Sequence, residues 1–328
     1  MSARTRTYAA VSLGAAVAAA GVVTTVAFTR TSSGGGTAHG QTTAVARGRP
    51  PALALDLGVR TDPEANALRR GNRLYASGKR RQAAAIFERY RTIPAQVGTA
   101  LANWPVDSVA RLEALARRHP GDALVLLHLG LAQLASGRPQ AARAAWRHAV
   151  ARDPDTVSAV HADELLHPNF APGLPAFVPS YQLPETIARL APAGQLTALR
   201  RAAHGDDVRG KLLYGSALQR LGHPVSAKRE FVAARRLAPG AVEPRVAVAV
   251  ALFSKSNPSA AFSVLGPLAA RYPRSASVRF HLGELLLWIG QVREAKRQLR
   301  LAVDAGRKTA LGTTANAVLT KVQKIRTD

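Results

Sequence analysis

Apolar and polar positions along most of this chain follow the period of an α-helix, in short blocks separated by polar breaks. In "LHLGLAQLASGRPQAARAAW", residues 127–146, apolar residues recur three and four positions apart on both sides of a Ser-Gly-Arg-Pro break. Gly137 suits the left-handed end of a first helix. Pro139 suits the first turn of a second helix, where its missing N–H costs nothing. The stretch therefore predicts two antiparallel helices in close contact.

The same block recurs at a fixed interval. Gly130 corresponds to Gly215 and Gly283, and the steps from Gly215 to Ala249 and from Ala249 to Gly283 are both 34 residues. A first copy lies at residues 69–90, and a degenerate copy ends at Pro120. Each clear copy continues with a small residue, a large apolar residue and, in several copies, a closing proline: Ala83 and Phe87; Ala142, Trp146 and Pro154; Ala227, Phe231 and Pro239; Ala261, Leu265 and Pro273; Ala295 and Leu299. The small residues of the two helices are expected to face each other and allow a close approach, while the large residue fills the groove to the next unit.

A 34-residue helix–turn–helix with this order of positions resembles the tetratricopeptide repeat (TPR). The resemblance implies an all-α fold, a TPR-like helix–turn–helix solenoid with a right-handed superhelix, and a role as a protein-interaction scaffold. We assign the repeat domain to residues 62–306. Residues 307–328 are predicted to form a C-terminal capping helix, whose apolar stripe includes Val318, Leu319 and Val322 and which covers the exposed end of the array.

The amino-terminal region has a different pattern. Residues 8–28 carry no charge over about the length of a membrane-spanning helix. Arg4 and Arg6 before this run favour a cytoplasmic amino end and an exported body. We therefore expect residues 1–30 to be a signal anchor with an N-terminal transmembrane helix, in a single-pass cell-membrane protein similar to bacterial membrane-anchored or exported TPR proteins. A signal peptide cleaved near Ala18-Ala19-Ala20, giving a secreted protein, is the alternative. Residues 31–61, rich in Gly, Ser, Thr and Pro, are predicted to be a flexible linker.

The net charge of +25 changes the range of partners. Six basic residues and one acid precede residue 62, so the predicted repeat region carries most of the excess. This positive charge favours an anionic partner, such as a membrane surface, a cell-wall surface or nucleic acid. Nucleic acid is a poor candidate if the protein is exported. A GC-rich genome, which enriches Arg and Ala, explains the same composition. The basic residues concentrate on predicted second helices, as at Arg143, Arg147 and Lys228.

The repeat register breaks once. After Gly130 it resumes at Gly215, seventeen residues late, and the proline-rich stretch 168–184, "PNFAPGLPAFVPSYQLP", has that length and cannot be helical. In TPR arrays the first helix of each pair lines the concave face, and here that face is apolar. Either the loop lies in this groove as a structural element, or groove and loop together bind a partner's peptide. The candidate partner-binding residues are Leu127, Leu131, Leu134, Phe170, Phe177, Tyr181, Val250, Phe253, Phe280, Leu287 and Trp288.

Candidate chemistry is sparse. His161 and His167 are six residues apart, so they do not share one helical face as an i, i+4 metal-binding pair would. The absence of cysteine excludes disulfides, thiolate metal sites and cysteine nucleophiles. No nucleophile elbow, zincin helix or dinucleotide fingerprint is present. The sequence therefore predicts a non-catalytic scaffold without metal or cofactor that binds a protein or peptide. The alternative is polyanion binding (RNA, anionic lipid or cell-wall polymer) through the basic outer face.

Overall fold

The computed structural model describes residues 49–323, and within that range the chain forms sixteen α-helices and no strand. The helices are α1 (Pro63–Ala76), α2 (Arg80–Phe87), α3 (Ile93–Ala102), α4 (Ser108–Arg118), α5 (Ala123–Ala135), α6 (Pro139–Arg152), α7 (Val157–Leu166), α8 (Glu185–Ala188), α9 (Pro192–Ala202), α10 (Val208–Arg220), α11 (Pro224–Leu237), α12 (Val242–Ala251), α13 (Ser259–Arg271), α14 (Ala276–Trp288), α15 (Val292–Ala305) and α16 (Ala310–Gln323). Consecutive helices pack in pairs, and this all-α solenoid agrees with the fold that the sequence predicts.

The first helices of successive pairs also contact one another. In the amino-terminal half α1 packs on α3, α3 on α5, and α5 on α7; in the carboxy-terminal half α10 packs on α12, and α12 on α14. Each half therefore presents one surface built from first helices. We call the surface formed by α1, α3, α5, α7, α10, α12 and α14 the first-helix face.

Glycine sets the close approach within each pair. A Cβ placed at Gly71 would lie 2.6 Å from the ring of Phe87, and one at Gly215 would overlap the ring of Phe231. At Gly130 the overlapping ring is that of Trp146. The predicted close approach at these glycines is confirmed, but the group that faces each glycine is the large ring of the paired second helix and not the small residue that the sequence predicts there.

The turns between paired helices have the glycine and proline conformations that the sequence predicts. Gly137 and Gly222 have φ of +78° and +79°, the left-handed conformation that ends a helix at little cost for glycine. Pro139 and Pro224 then occupy the first turns of α6 and α11. The short turns hold the two helices of a pair together.

The two halves meet where the repeat register breaks. The carboxylate of Asp155, just before α7, accepts the backbone N–H groups of Val225 and Ser226 at 2.8 and 3.0 Å, at the start of α11. One side chain thus caps a helix that lies 70 residues further along the chain. The inserted region adds the short α8 and also α9, which packs against α10.

The carboxy-terminal helix α16 packs on α15 and α14. Its residues Val318, Leu319 and Val322 are buried there, as the apolar stripe predicts, and Leu311 is buried with them. Within residues 49–323, no helix combines the length and the apolar character needed to cross a bilayer. The predicted transmembrane stretch, residues 8–28, lies outside the described residues, as does the linker up to residue 48.

Candidate functional site

The inserted loop, residues 168–184, lies on the first-helix face of α10, α12 and α14. Phe177 near its centre is 1% exposed. Its ring packs edge-on against Phe231, with centroids 5.5 Å apart, and stacks on the imidazole of His281 at 5.1 Å. Phe170 packs edge-on against Phe253 at 6.5 Å. In this structure the loop is therefore part of the core of the carboxy-terminal half.

Side chains of the first helices bind the backbone of this loop. The N–H of Phe177 donates to Oε1 of Gln219 at 2.8 Å, and the hydroxyl of Ser216 donates to the carbonyl oxygen of Phe177 at 3.2 Å. The N–H of Val178 donates to Nε2 of His281 at 2.9 Å. The loop thus lies across α10 and α14 as an extended peptide.

Two carboxylates continue the same arrangement at its ends. Oε1 of Glu164 on α7 accepts the N–H of Gly173 at 2.5 Å, and Oε1 of Glu243 on α12 accepts the N–H of Ser180 at 2.8 Å. Buried backbone groups need partners, and an extended segment ordinarily finds them on a neighbouring strand. Here side chains from four helices take the place of that strand.

His281 is held in one tautomer. Because its Nε2 accepts the Val178 N–H, the ring proton is on Nδ1, which donates to the carbonyl oxygen of Ser277 at 2.7 Å. The imidazole is fully buried, and burial lowers the pKa of His281 to about 4 because the cation would be desolvated. The ring is therefore a neutral hydrogen-bond acceptor at physiological pH.

A second extended segment occupies the amino-terminal half of the face. The N–H of Ala54 donates to Nε2 of His128 on α5 at 3.1 Å, and the Tyr75 hydroxyl donates to the carbonyl oxygen of Pro51 at 2.6 Å. Leu53 and Leu57 are buried against α1, α3 and α5. The sequence predicts a flexible linker up to residue 61. From residue 51 this is wrong, because the leucines of this segment pack on an apolar surface of the repeats.

A cavity of about 320 Å³ lies beneath the loop, between α7, α10 and α12. His161, Glu164 and Arg220 are among its lining residues. Nearby, burial raises the pKa of Glu284 to about 8, although the Ala176 N–H bonded to this carboxyl works in the opposite direction. Among residues 49–323, no group of three or more His, Asp or Glu side chains could hold a metal ion. The cavity lining thus mixes apolar residues with the polar side chains of His161, Glu164, Gln219 and Arg220.

The structure separates the predicted partner-binding residues into two sets. Leu127, Phe177, Val250, Phe253 and Phe280 are buried core residues and contact the protein itself. Their burial agrees with the alternative in which the loop lies in the groove as a structural element. The remaining six are partly exposed: Leu131, Leu134, Phe170, Tyr181, Leu287 and Trp288. Whether these six bind a partner stays a prediction.

Sequence reasoning missed the two histidines that bind backbone. It placed Leu127 and Phe280 on the face, whereas the neighbouring His128 and His281 point to the extended segments. One residue is about 100° of rotation on a helix, which is enough to exchange a core position for a surface position. The recurring tripeptide His-Leu-Gly at 128–130 and 281–283 is the signal that could have found them.

The outer surface carries the positive charge. Arg143 and Arg147 on α6 are exposed, as the sequence predicts for second helices. A cleft of about 530 Å³ between α11, α12 and α13 is lined by four arginines: Arg235, Arg236, Arg245 and Arg271. The chain thus presents a backbone-binding face and a separate basic cleft.

Comparisons with known proteins agree with the repeat pattern. A family profile described as "Tetratricopeptide repeat" matches residues 124–156, which include α5 and α6. No curated protein sequence matches the chain. Solved structures with similarity include yeast Tom70, at 13% identity and a TM-score of 0.33, covering 86% of this chain and 54% of that one. The chain thus spans about half the length of the Tom70 structure.

Two further structures are similar in the same way. The TPR2AB domain of yeast Sti1, in its complex with pHSP90, has 10% identity and a TM-score of 0.29, with 79% of this chain and 96% of that chain covered. A thermophilic TPR protein of Thermus thermophilus has 18% identity and a TM-score of 0.21, with 80% and 100% covered. The family profile thus identifies residues 124–156 as one tetratricopeptide repeat, and the pairs α1–α2 and α10–α11 share its facing glycine and aromatic residue.

Proposed function

We propose that the protein is a non-catalytic interaction scaffold that binds an extended segment of a partner protein on its first-helix face. One observation carries the proposal: this face already binds two extended segments of its own chain through side-chain acceptors, at Ala54 and at Val178. Tetratricopeptide repeats are in general protein-interaction modules, which supports the same function.

The physical basis is that side chains of this face form hydrogen bonds with the backbone groups of the bound segment. A peptide that leaves water loses hydrogen bonds to its N–H and C=O groups, and each group left unpaired costs about 1–3 kcal/mol. Gln219, Ser216 and His281 replace those bonds from fixed positions on helices. Buried apolar side chains such as Phe177 then add affinity and select the sequence.

Photo-crosslinking tests this function. A photoreactive residue at Leu131 or Leu134, both partly exposed on α5, samples the first-helix face, and one at the exposed Arg147 on α6 is the matched control. We expect Leu131 or Leu134 to crosslink a defined protein that Arg147 does not. Crosslinks of equal yield and identity from all three positions would contradict the proposal.

The proposal also includes the cellular setting. Residues 8–28 would anchor the chain in the cell membrane, and the linker would carry the repeats on the extracytoplasmic side, in a bacterium. The chain has no cysteine, so one cysteine introduced at Arg147 is a unique label site. Labelling in intact cells by a membrane-impermeant maleimide is the expected result. Labelling only after lysis would place the repeats inside.

The arginine cleft favours a second candidate function, the binding of a polyanion such as RNA, anionic lipid or cell-wall polymer. Arg235, Arg236, Arg245 and Arg271 line one cleft on the outer surface. Phosphate-type contacts of this kind weaken steeply as salt rises. If this function holds, heparin should bind with a strong salt dependence that Arg235→Ala and Arg236→Ala reduce. Binding without salt dependence, or unchanged in both variants, would contradict it.

A further inference from the structure

The two extended segments share a sequence pattern. Residues 51–57 are "PALALDL" and residues 175–181 are "PAFVPSY". Aligned without a gap, both begin with Pro-Ala and continue with a large apolar residue, two variable residues, a small polar residue and a second large apolar residue. No helical repeat relates them, since they lie in a linker and in an inserted loop.

The two segments also make the same contact at the same place. In the first, the fourth residue, Ala54, donates its N–H to Nε2 of His128 at 3.1 Å. In the second, the fourth residue, Val178, donates its N–H to Nε2 of His281 at 2.9 Å. Both histidines precede the repeat glycine by two residues, at Gly130 and Gly283.

The surroundings match as well. The first and third residues of both segments are buried: Pro51 and Leu53, Pro175 and Phe177. Both imidazoles are fully buried, and in both Nδ1 donates to the carbonyl oxygen four residues earlier, at 2.7 Å. Each site therefore offers one neutral acceptor in a fixed direction.

The pattern sets a rule for a ligand. The first position favours proline because it holds an extended backbone and leaves no N–H to satisfy. The fourth position excludes proline, because its N–H is the group that the histidine accepts. The fifth position tolerates proline, since Pro179 stands there in the second segment and Leu55 in the first.

We propose that His128 and His281 mark two equivalent peptide sites that bind the extended motif Pro-Ala-Φ-X-X-(Asp/Ser)-Φ, where Φ is a large apolar residue and the first X is not proline. This inference rests on the proposed function and names its ligand: a partner protein segment carrying this motif. The partner segment displaces residues 51–57 from the His128 site. That site is the exchangeable one because its occupant has fewer backbone bonds to side chains than the loop has.

The test uses the full chain carrying Ala54→Pro, which removes the N–H donor of the resident segment. A fluorescent peptide containing PALALDL should bind this variant, as should one containing PAFVPSY, while the unaltered chain binds both more weakly. The control peptide PALPLDL lacks the donor and should bind about tenfold more weakly, the usual effect of one buried hydrogen bond. Equal binding of PALALDL and PALPLDL would overturn the motif.

Two matched substitutions locate the site. His128→Phe removes the acceptor and should abolish the preference for PALALDL over PALPLDL in the Ala54→Pro background. His148→Phe, the same change at an exposed histidine of α6, should leave the preference intact. A preference that survives His128→Phe would overturn the assignment to His128.

A second design applies if Ala54→Pro does not fold. A protease site is inserted directly after the exposed Gly58, which itself is kept, so that cleavage separates the segment from the folded repeats. Excess PALALDL peptide should then displace the cut segment, and PALPLDL should not. Displacement by neither peptide, or by both, would refute exchange at this site. A partner crosslinked from Leu131 that lacks the motif would end this inference and leave the proposed function standing.

Discussion

Replacing Phe177 by alanine tests whether the inserted loop is part of the folded core. The side chain is 1% exposed and lies between Phe231 and His281, with ring centroids at 5.5 and 5.1 Å. Truncating a phenylalanine in such a site removes its buried area and leaves a cavity, at a cost of about 3–5 kcal/mol. We expect a value near the lower end of that range, because a loop relaxes into a cavity more readily than a helix does.

The assay is urea denaturation followed by circular dichroism at the helical signal. Phe170→Ala is the matched control, because Phe170 belongs to the same loop but is only half-buried, and it should cost less. Phe177→Ala should lower the unfolding midpoint clearly more than this control. A loss below about 1 kcal/mol, the usual range of a surface substitution, would show that the loop is not part of the core in solution.

Three further predictions use the same unfolding assay. Gly215→Leu should overpack α10 against α11 and cost about 1–3 kcal/mol, and unchanged stability would count against the assigned helix contact. Asp155→Ala should cost about 1–2 kcal/mol by removing the cap of α11, and a neutral result would mean that the bonds between the halves do not contribute. The pKa of His281 is about 4 in the folded chain, below its ordinary 6.5. Between these two pH values the unfolded chain binds more protons than the folded chain. The stabilising effect is therefore complete above pH 6.5, and stability falls as the pH drops towards 4. This histidine contributes up to about 3 kcal/mol to that fall; His281→Gln should flatten the curve relative to the unaltered chain, and an identical curve would contradict the buried imidazole.

Much of the architecture was predictable because it depends on local rules. Gly215 and Phe231 are sixteen residues apart, so spacing alone places them in one helix pair, although their direct contact emerges only from the structure. Gly137 and Pro139 punctuate the turn for reasons of backbone conformation that apply in any protein. The proline-rich loop was equally clear, since prolines at that density exclude a helix.

The backbone contacts were not predictable in the same way. Ala54 and His128 are 74 residues apart, and Val178 and His281 are 103 apart, so no local rule joins them. Whether residues 51–57 pack or remain free depends on the shape of the surface that α1, α3 and α5 create together. The sequence also favoured Leu127 over the adjacent His128, because a leucine suits an apolar face better than a histidine does. The reason for a histidine at this position is the backbone N–H of Ala54, which needs a hydrogen-bond acceptor.

Hydrogen–deuterium exchange of the two extended segments tests the central claim most directly, because the claim is that the first-helix face binds extended backbone. In the full chain, mass spectrometry of peptides covering residues 50–57 and 174–181 reports the amides of Ala54 and Val178. We predict protection of both segments, weaker at residues 50–57 because fewer side chains bond to that backbone, and loss of protection at Ala54 alone in His128→Phe. Exchange of both segments at the rate of an unstructured peptide would contradict the account.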